Sequence, residues 1–259
     1  MSRHVTLATW NVNSIRARGG HVLDWLRARR PDILGLQELK AEEHDFPAEV
    51  FLDEGWHAAV HGQKAWNGVA LLAREPLEDV RCGIPELADD PQARIVSARC
   101  GGLRLYNLYV PNGESVGSGK FAYKLRWLDA MARHLEAACD PGEPLAIFGD
   151  CNIAPEDRDV HDPESFRGRV LFSDEEHAAL QRLLDWGLVD LFRAFHDGGG
   201  LYSWWDYRQA GFRRNVGARI DLVMVTRPLL ARAVSCEIDS QPRGWEKPSD
   251  HAPVVAVFR

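Results

Sequence analysis

Apolar positions in this chain fall into short runs separated by polar turns, and two periods recur along it. Val5-Thr6-Leu7-Ala8-Thr9-Trp10 is β-branched and apolar, which predicts a strand ending at Asn11. From His21 to Arg30, Val22, Leu23, Trp25 and Leu26 repeat at helical spacing, and the pattern stops before Pro31. Asp32-Ile33-Leu34-Gly35-Leu36 predicts a second strand, running into Gln37-Glu38, and residues 67–74 predict a third. Arg94 to Cys100 and Leu103 to Val110 flank Gly101-Gly102, a hairpin signal, and Pro111-Asn112-Gly113 closes the second arm. Phe121 to Ala138 reads as a long amphipathic helix with Leu125, Leu128, Met131 and Leu135 on its apolar side. Leu145 to Phe148 reads as a buried strand. Ser173-Asp174-Glu175-Glu176 is a capping signal for a helix running to Trp186. Arg219 to Thr226 and Ala252 to Phe258 are the last predicted strands. Residues 153–173 and 197–218 read as long loops, which in compact proteins tend to carry function. No repeat or linker interrupts the pattern, so one domain over residues 1–259 is expected.

Composition changes this picture little. With 259 residues, 45% hydrophobic and 27% charged, the chain can bury a sizeable core. No apolar run approaches a membrane span. Met1-Ser2-Arg3-His4 leads straight into the first strand pattern without a signal-peptide core, so a cytoplasmic protein is expected. The five cysteines (82, 100, 139, 151 and 236) are odd in number and never in C-x-x-C spacing, which argues against a disulfide framework or a zinc site. A net charge of −7 argues against a broadly basic nucleic-acid surface. The charge is uneven, however. Residues 202–220 carry Arg208, Arg213, Arg214 and Arg219 against one acid, Asp206, and residues 11–30 carry Arg16, Arg18, Arg27, Arg29 and Arg30 against Asp24. A local basic surface on an acidic body therefore stays open, beside the plainer reading of solvated arginines.

The chemistry lies at strand ends. Asn11, Glu38, Asp150, Asn152, Asp250 and His251 each adjoin an apolar run. Singly, each is commonest as a turn, a cap or a surface residue. Together, if the strands share a sheet region, they form a cluster rich in carboxylate and amide oxygen and free of sulfur. That donor set suits a hard divalent cation rather than zinc, and a lone His is left to move a proton or face negative charge. Asp221 lies inside Arg219-Ile220-Asp221-Leu222-Val223-Met224-Val225, where an unpaired carboxylate is costly; pairing with His251 would relieve it. These parts point to metal-assisted phosphoester hydrolysis. Adjacent strand residues face opposite ways, so Asp250 and His251 can share one site only if they precede the final strand.

Seven blocks, in order, resemble the exonuclease III family of abasic-site endonucleases, within the endonuclease/exonuclease/phosphatase superfamily. They are residues 9–17 (TWNVNSIRA), 37–40 (QELK), 109–114 (YVPNGE), 149–154 (GDCNIA), 203–208 (SWWDYR), 219–221 (RID) and 248–253 (PSDHAP). The resemblance implies an α/β (α+β), DNase-I-like fold: a four-layer sandwich of two packed mixed β-sheets flanked by helices. It implies Mg²⁺-dependent cleavage, with Mn²⁺ an alternative, of the phosphodiester 5′ to abasic sites, accompanied by 3′-to-5′ exonuclease action and 3′-end cleaning. The implied partner is double-stranded DNA with abasic sites or recessed or blocked 3′ ends, and the implied state a monomer that binds no membrane. By the resemblance Glu38 is the main metal ligand, with Asp250 and Asn11 close by. Asp150 is the water-activating residue and Asn152 its orienting partner, both with a possible second-metal role. His251 with Asp221 faces the scissile phosphate, and Tyr109 lies beside it. Trp204, with Ala218 and Ile220, would wall a pocket for a base-less sugar. Asn112, Arg208, Arg16 and Lys40 would touch the substrate, with Arg213, Arg214 and Trp66 as further contacts. Three positions depart from some members: Asn112 stands for glutamine, Ala218 for a bulky aromatic, and Asn13 for an aspartate. A small residue at 218 would favour exonuclease activity. A phosphatase or phosphodiesterase acting on a small phosphoester is the alternative enzyme, and a non-catalytic DNA-binding protein the third reading.

Overall fold

In a computed structural model, residues 4–259 are described; the expected run from Met1 into the first strand begins outside them. Among the described residues, twelve strands form two six-stranded sheets. The first sheet contains β1 (Val5–Asn11), β2 (Ile33–Gln37), β3 (His57–His61), β4 (Val69–Ala73), β11 (Ala233–Ile238) and β12 (Val254–Phe258), in the order β11-β12-β1-β2-β4-β3. The second contains β5 (Glu78–Cys82), β6 (Ile95–Cys100), β7 (Leu103–Tyr109), β8 (Leu145–Asp150), β9 (Leu188–Asp190) and β10 (Asp221–Thr226), in the order β5-β6-β7-β8-β10-β9. Each sheet is mixed, because β1–β2 and β7–β8 pair in parallel while their neighbours run antiparallel.

Strand alternation sorts side chains between layers. Leu7, Ile33, Leu71, Leu105, Phe148, Val223 and Ala256 meet in the core between the sheets. The alternate residues Ala8, Trp10, Leu34 and Leu36 face outward and pack under α1 (Ile15–Arg29), whose Val22, Trp25 and Leu26 are buried on them. A short helix α2 (Ala48–Asp53) adds Phe51 to the same layer. On the other sheet, Tyr106, Leu108, Ile147, Leu222 and Met224 pack under α3 (Gly119–Ala138) and α5 (Asp174–Asp185), through Trp127, Leu128, Met131, Leu135, Leu180 and Leu183. The result is the expected four-layer sandwich. Burying each such large side chain stabilises the fold by roughly 1.5–3 kcal/mol.

Two glycines allow the close approaches this needs. A Cβ on Gly35 would lie 2.5 Å from the Phe148 ring of the facing sheet. A Cβ on Gly149 would lie 1.9 Å from the Leu108 carbonyl, so only glycine lets β8 lie against β7 at the residue before Asp150.

Several expectations need correction. α1 begins at Ile15 rather than His21: Ser14 caps it, accepting from the Ala17 amide, and Gly19-Gly20 lie within it. Residues 153–173 are not a bare loop, because a 3₁₀ turn at Asp157–Asp159 and helix α4 (Pro163–Phe166) interrupt them. Likewise α6 (Gly211–Arg214) interrupts 197–218. The strands β3, β5, β9 and β11 were not predicted.

Candidate active site

Register, rather than sequence proximity, assembles the polar cluster. β1 and β2 are parallel and end together, pairing Asn11 with Gln37 and placing Glu38 just beyond. β7 and β8 are parallel and pair Tyr109 with Asp150. β10 runs antiparallel to β8, so its first residue, Asp221, pairs with the last of β8, Asp150. β12 runs antiparallel to β1 with Val254 opposite Thr9, so the residues before it lie beside Asn11. Six strand ends thus meet on one side of the sandwich.

Asp250 and His251 precede β12, which starts at Val254, so they are free of strand alternation. Ser249 fixes this turn: its Oγ donates to the Asn11 carbonyl (2.7 Å) and accepts from the His251 amide (3.2 Å). Trp10 Nε1 donates to the His251 carbonyl at 3.2 Å. His251 Nδ1 then lies 2.8 Å from Asp221 Oδ2, and its Nε2 lies 3.7 Å from Asp150 Oδ2. All three side chains are buried. Ser203 Oγ accepts from the amides of Ile220 (3.1 Å) and Asp221 (3.0 Å), which holds the start of β10 in place.

Asn11 bridges the acids. Its Nδ2 donates to Glu38 Oε1 and to Asp150 Oδ2, both at 2.8 Å, while its Oδ1 accepts from the Asn13 amide. The amide nitrogen, not the oxygen, therefore faces the acids. Glu38 sits at φ 51, a left-handed conformation that turns its carboxylate back toward the strand ends. Ligand atoms of Glu38, Asp150 and His251 lie within 4.8 Å of one another, a spacing that could hold a metal ion. Asp250 is not in that group. Asn13 Nδ2 (2.9 Å) and Trp204 Nε1 (3.1 Å) donate to its two oxygens, so the acid expected at the cation is turned toward the aromatic loop. Asn152, at φ 48, donates from its backbone to Asp150 Oδ1 at 2.9 Å. Its side-chain oxygen accepts from Asn112 Nδ2 at 3.1 Å.

The electrostatics follow from burial and neighbours. Burial, aided by Asp221 and Glu38 and opposed by His251, pushes Asp150 up to about 7. Burial disfavours a charged His251, yet Asp221 and Asp150 outweigh it and raise the ring to about 10. Burial and the carboxylates of Glu38 and Asp150 hold the Tyr109 phenol well above its usual range. Burial works against the Asp250 charge, but His251, Asn13 and Trp204 keep it below the usual carboxylate range. Near neutral pH the site thus combines an imidazolium, a protonated phenol and a carboxyl poised to lose its proton.

Known proteins place this arrangement. The Endonuclease/Exonuclease/phosphatase family matches residues 8–251. The chain belongs to that family. Exodeoxyribonuclease III of Haemophilus influenzae is 38% identical over 97% of this chain and 98% of its own length. Among solved structures, the 3′ phosphatase NExo from Neisseria, bound to product DNA hairpin, superimposes with a TM-score of 0.95 at 42% identity, covering 98% of this chain and 99% of that one. An AP endonuclease from Archaeoglobus fulgidus gives the same TM-score and coverage at 39% identity.

In this family member the expected substrate residues are placed unevenly. Trp204 is half-buried at the edge of an apolar cluster in which Ala218 and Ile220 pack against Ala154, Val160 and Phe172. Ala218 and Ile220 are 0% and 2% exposed, so Trp204 alone of the three reaches the surface. Lys40 is turned into the site: Nζ lies 3.0 Å from Glu38 and 2.6 Å from Asn13 Oδ1. Arg16 pairs with Asp45 and Arg208 with its neighbour Asp206, both side chains largely exposed. Trp66 is 76% exposed, with Lys40 Nζ 5.9 Å from its ring centre. Sequence reading missed Ser203, Ser249 and a fully buried ion pair, Lys124–Glu176. Lys124 left a signal: it falls on the stripe Phe121, Leu128, Met131 and Leu135, where a solvated lysine has no place.

Proposed function

We propose that this chain is a DNA-repair nuclease that hydrolyses a phosphodiester 5′ to abasic sites in duplex DNA and removes nucleotides or blocking groups at 3′ ends. The observation that carries this reading is the His251 imidazole held between Asp221 at 2.8 Å and Asp150 at 3.7 Å, with Glu38 alongside. Glu38 and Asp150 would hold a divalent cation, Mg²⁺ or Mn²⁺, and when bound it supplies neutralisation of phosphate charge. The oxygen-rich donor set supports that choice over zinc.

In this reading Asp150 takes a proton from the attacking water, a role its place beside His251 and Glu38 suits. Asn11 and the Asn152 amide hold its two oxygens in place. The new P–O bond forms as the bond to the upstream 3′ oxygen breaks, and that oxygen takes up a proton from solvent, leaving a 3′-hydroxyl and a 5′-phosphate. The His251 imidazolium and the Tyr109 hydroxyl face the negative charge that builds on the phosphoryl oxygens. Asp221 keeps the imidazole charged and oriented. Trp204 forms the exposed wall of the sugar site, and Asn112, Arg208, Arg16 and Lys40 contact the strand. Asp250 positions Trp204.

Relatives named as an exodeoxyribonuclease III, an AP endonuclease and a 3′ phosphatase support both arms of this specificity. A monomer of one domain is part of the proposal, and the family match over residues 8–251 supports the single domain. So is a cytoplasmic setting, with five free cysteines; no helix among the described residues is long and apolar enough to cross a membrane.

A duplex with one tetrahydrofuran abasic analogue, run beside an undamaged duplex with a recessed 3′ end, tests the reading. Cutting beside the analogue with Mg²⁺, none with EDTA, and loss of turnover in Asp150→Asn are expected. An analogue duplex left intact under all conditions would overturn it.

A further inference from the structure

Lys124 is 0% exposed on the apolar side of α3, and its three protons are all used. Nζ donates to the Asn152 carbonyl at 2.6 Å and the Asn112 carbonyl at 3.2 Å, and pairs with Glu176. Glu176 is itself occupied, accepting from the amides of Leu171 and Ser173, both at 3.0 Å, and from Ser173 Oγ at 2.6 Å. One ammonium thus draws together the segment after β7, the segment after β8 and the start of α5.

The two carbonyls it holds belong to the two residues whose side-chain amides interlock at the site. Asn112 Nδ2 donates to Asn152 Oδ1 at 3.1 Å, and Asn152 Nδ2 donates to the Val110 carbonyl at 3.0 Å. Asn152 is also in a left-handed conformation, which persists only where its surroundings impose it. A buried ion pair is a weak source of net stability, since desolvation offsets much of its attraction. Two neutral apolar residues would close the gap between α3 and α5 as well. They would not hold two carbonyls at a fixed separation.

We propose that Lys124 is a positioning residue for phosphodiester hydrolysis, setting the Asn112–Asn152 amide pair by clamping both backbone carbonyls. The inference rests on the nuclease reading. Glu176 neutralises the clamp and supports the fold without touching either asparagine.

Two variants separate the clamp from the ion pair. Lys124→Met removes the carbonyl bonds, whereas Glu176→Gln keeps them and removes the charge partner. Both are expected to lower the melting temperature. Assayed at least 15 °C below melting, with magnitudes typical of misplaced groups, Lys124→Met should lose about 30-fold in kcat with KM within about threefold, while Glu176→Gln keeps kcat within about threefold. Lys124→Gln, with one donor left, should fall between them and serves where Lys124→Met does not fold. Equal kcat losses in the Lys124 and Glu176 variants, or wild-type kcat in a folded Lys124 variant, would overturn the proposal. Side-chain amide NMR signals of Asn112 and Asn152, recorded without DNA, give a readout that survives failure of the nuclease reading. They should shift in Lys124→Gln and stay put in Glu176→Gln; the reverse pattern would overturn the clamp.

Discussion

Replacing Asp221 with Asn changes the site by one charge and almost no volume. His251 Nδ1 keeps an oxygen to bond at the 2.8 Å position, but the imidazolium loses the carboxylate that does most to sustain it. In the intact site the ring holds its proton up to about 10 rather than 6.5, which corresponds to on the order of 5 kcal/mol in favour of the charged form. Burial opposes that preference, so with only Asp150 and Asp250 remaining, the ring should release its proton at a lower pH. NMR titration of the metal-free protein reads this directly. The wild-type ring should stay an imidazolium through pH 9, and the Asp221→Asn ring should titrate at least two units lower. Turnover at pH 8 should fall by about 100-fold or more, with DNA affinity nearly unchanged, because the loss concerns charge developed in the transition state. A variant ring that titrates with the wild type would refute the electrostatic role of Asp221. Wild-type turnover with a shifted titration would refute the role of the charged imidazole.

Three further outcomes are expected. Asp150 and His251 both bind protons more tightly folded than unfolded, so in metal-free protein their contributions to stability are lost as pH rises, through 3.8 to about 7 and through 6.5 to about 10. Urea unfolding across that range should show stability falling with pH, and Asp150→Asn should flatten the lower part of the slope; an unchanged slope would refute its buried charge. Mg²⁺ should raise the melting temperature of the wild type and not of Glu38→Gln, as measured by calorimetry. Arg208→Ala should weaken duplex binding and reduce the slope of log Kd against log salt by about 1 while leaving kcat unchanged, since the proposed reading sets this exposed guanidinium on phosphate, away from the reacting atoms. An unaltered slope would remove Arg208 from the interface.

How much of this was readable in the chain follows from where each signal came from. Strands buried over most of both faces, such as β1, β2 and β8, read clearly because the sandwich makes them largely apolar up to their last residue. β5 is exposed at all five positions and its sequence, EDVRC, is polar, so neither period nor propensity marks it. β9 has three residues, too few for a pattern. α1 was shortened because Gly19-Gly20 and two arginines hide its first turns, although Ser14 offered a cap. The convergence of Asn11, Glu38 and Asp150 was readable from one rule, that polar residues at the ends of apolar strands can gather into a site, and Asp221 from its need for a partner inside an apolar strand; that the ends come from two packed sheets was not readable from that rule. Nor was the finer division. Asp250 accepts from Asn13 and Trp204, distant in sequence, at its two oxygens and is not grouped with Glu38, Asp150 and His251. Only coordinates pair those groups. Lys124 showed itself as a break in an apolar stripe, but its acceptors are backbone carbonyls, which carry no sequence signal.

The central claim is that water attacks a DNA phosphodiester at this site, with Asp150 as base. Cleavage of an abasic-analogue duplex in H₂¹⁸O tests it most directly, with the ends analysed by mass spectrometry. One ¹⁸O in the 5′-phosphate and an unmodified 3′-hydroxyl are expected, with neither product formed by Asp150→Asn. An unlabelled 5′-phosphate, or full activity in Asp150→Asn, would contradict the account.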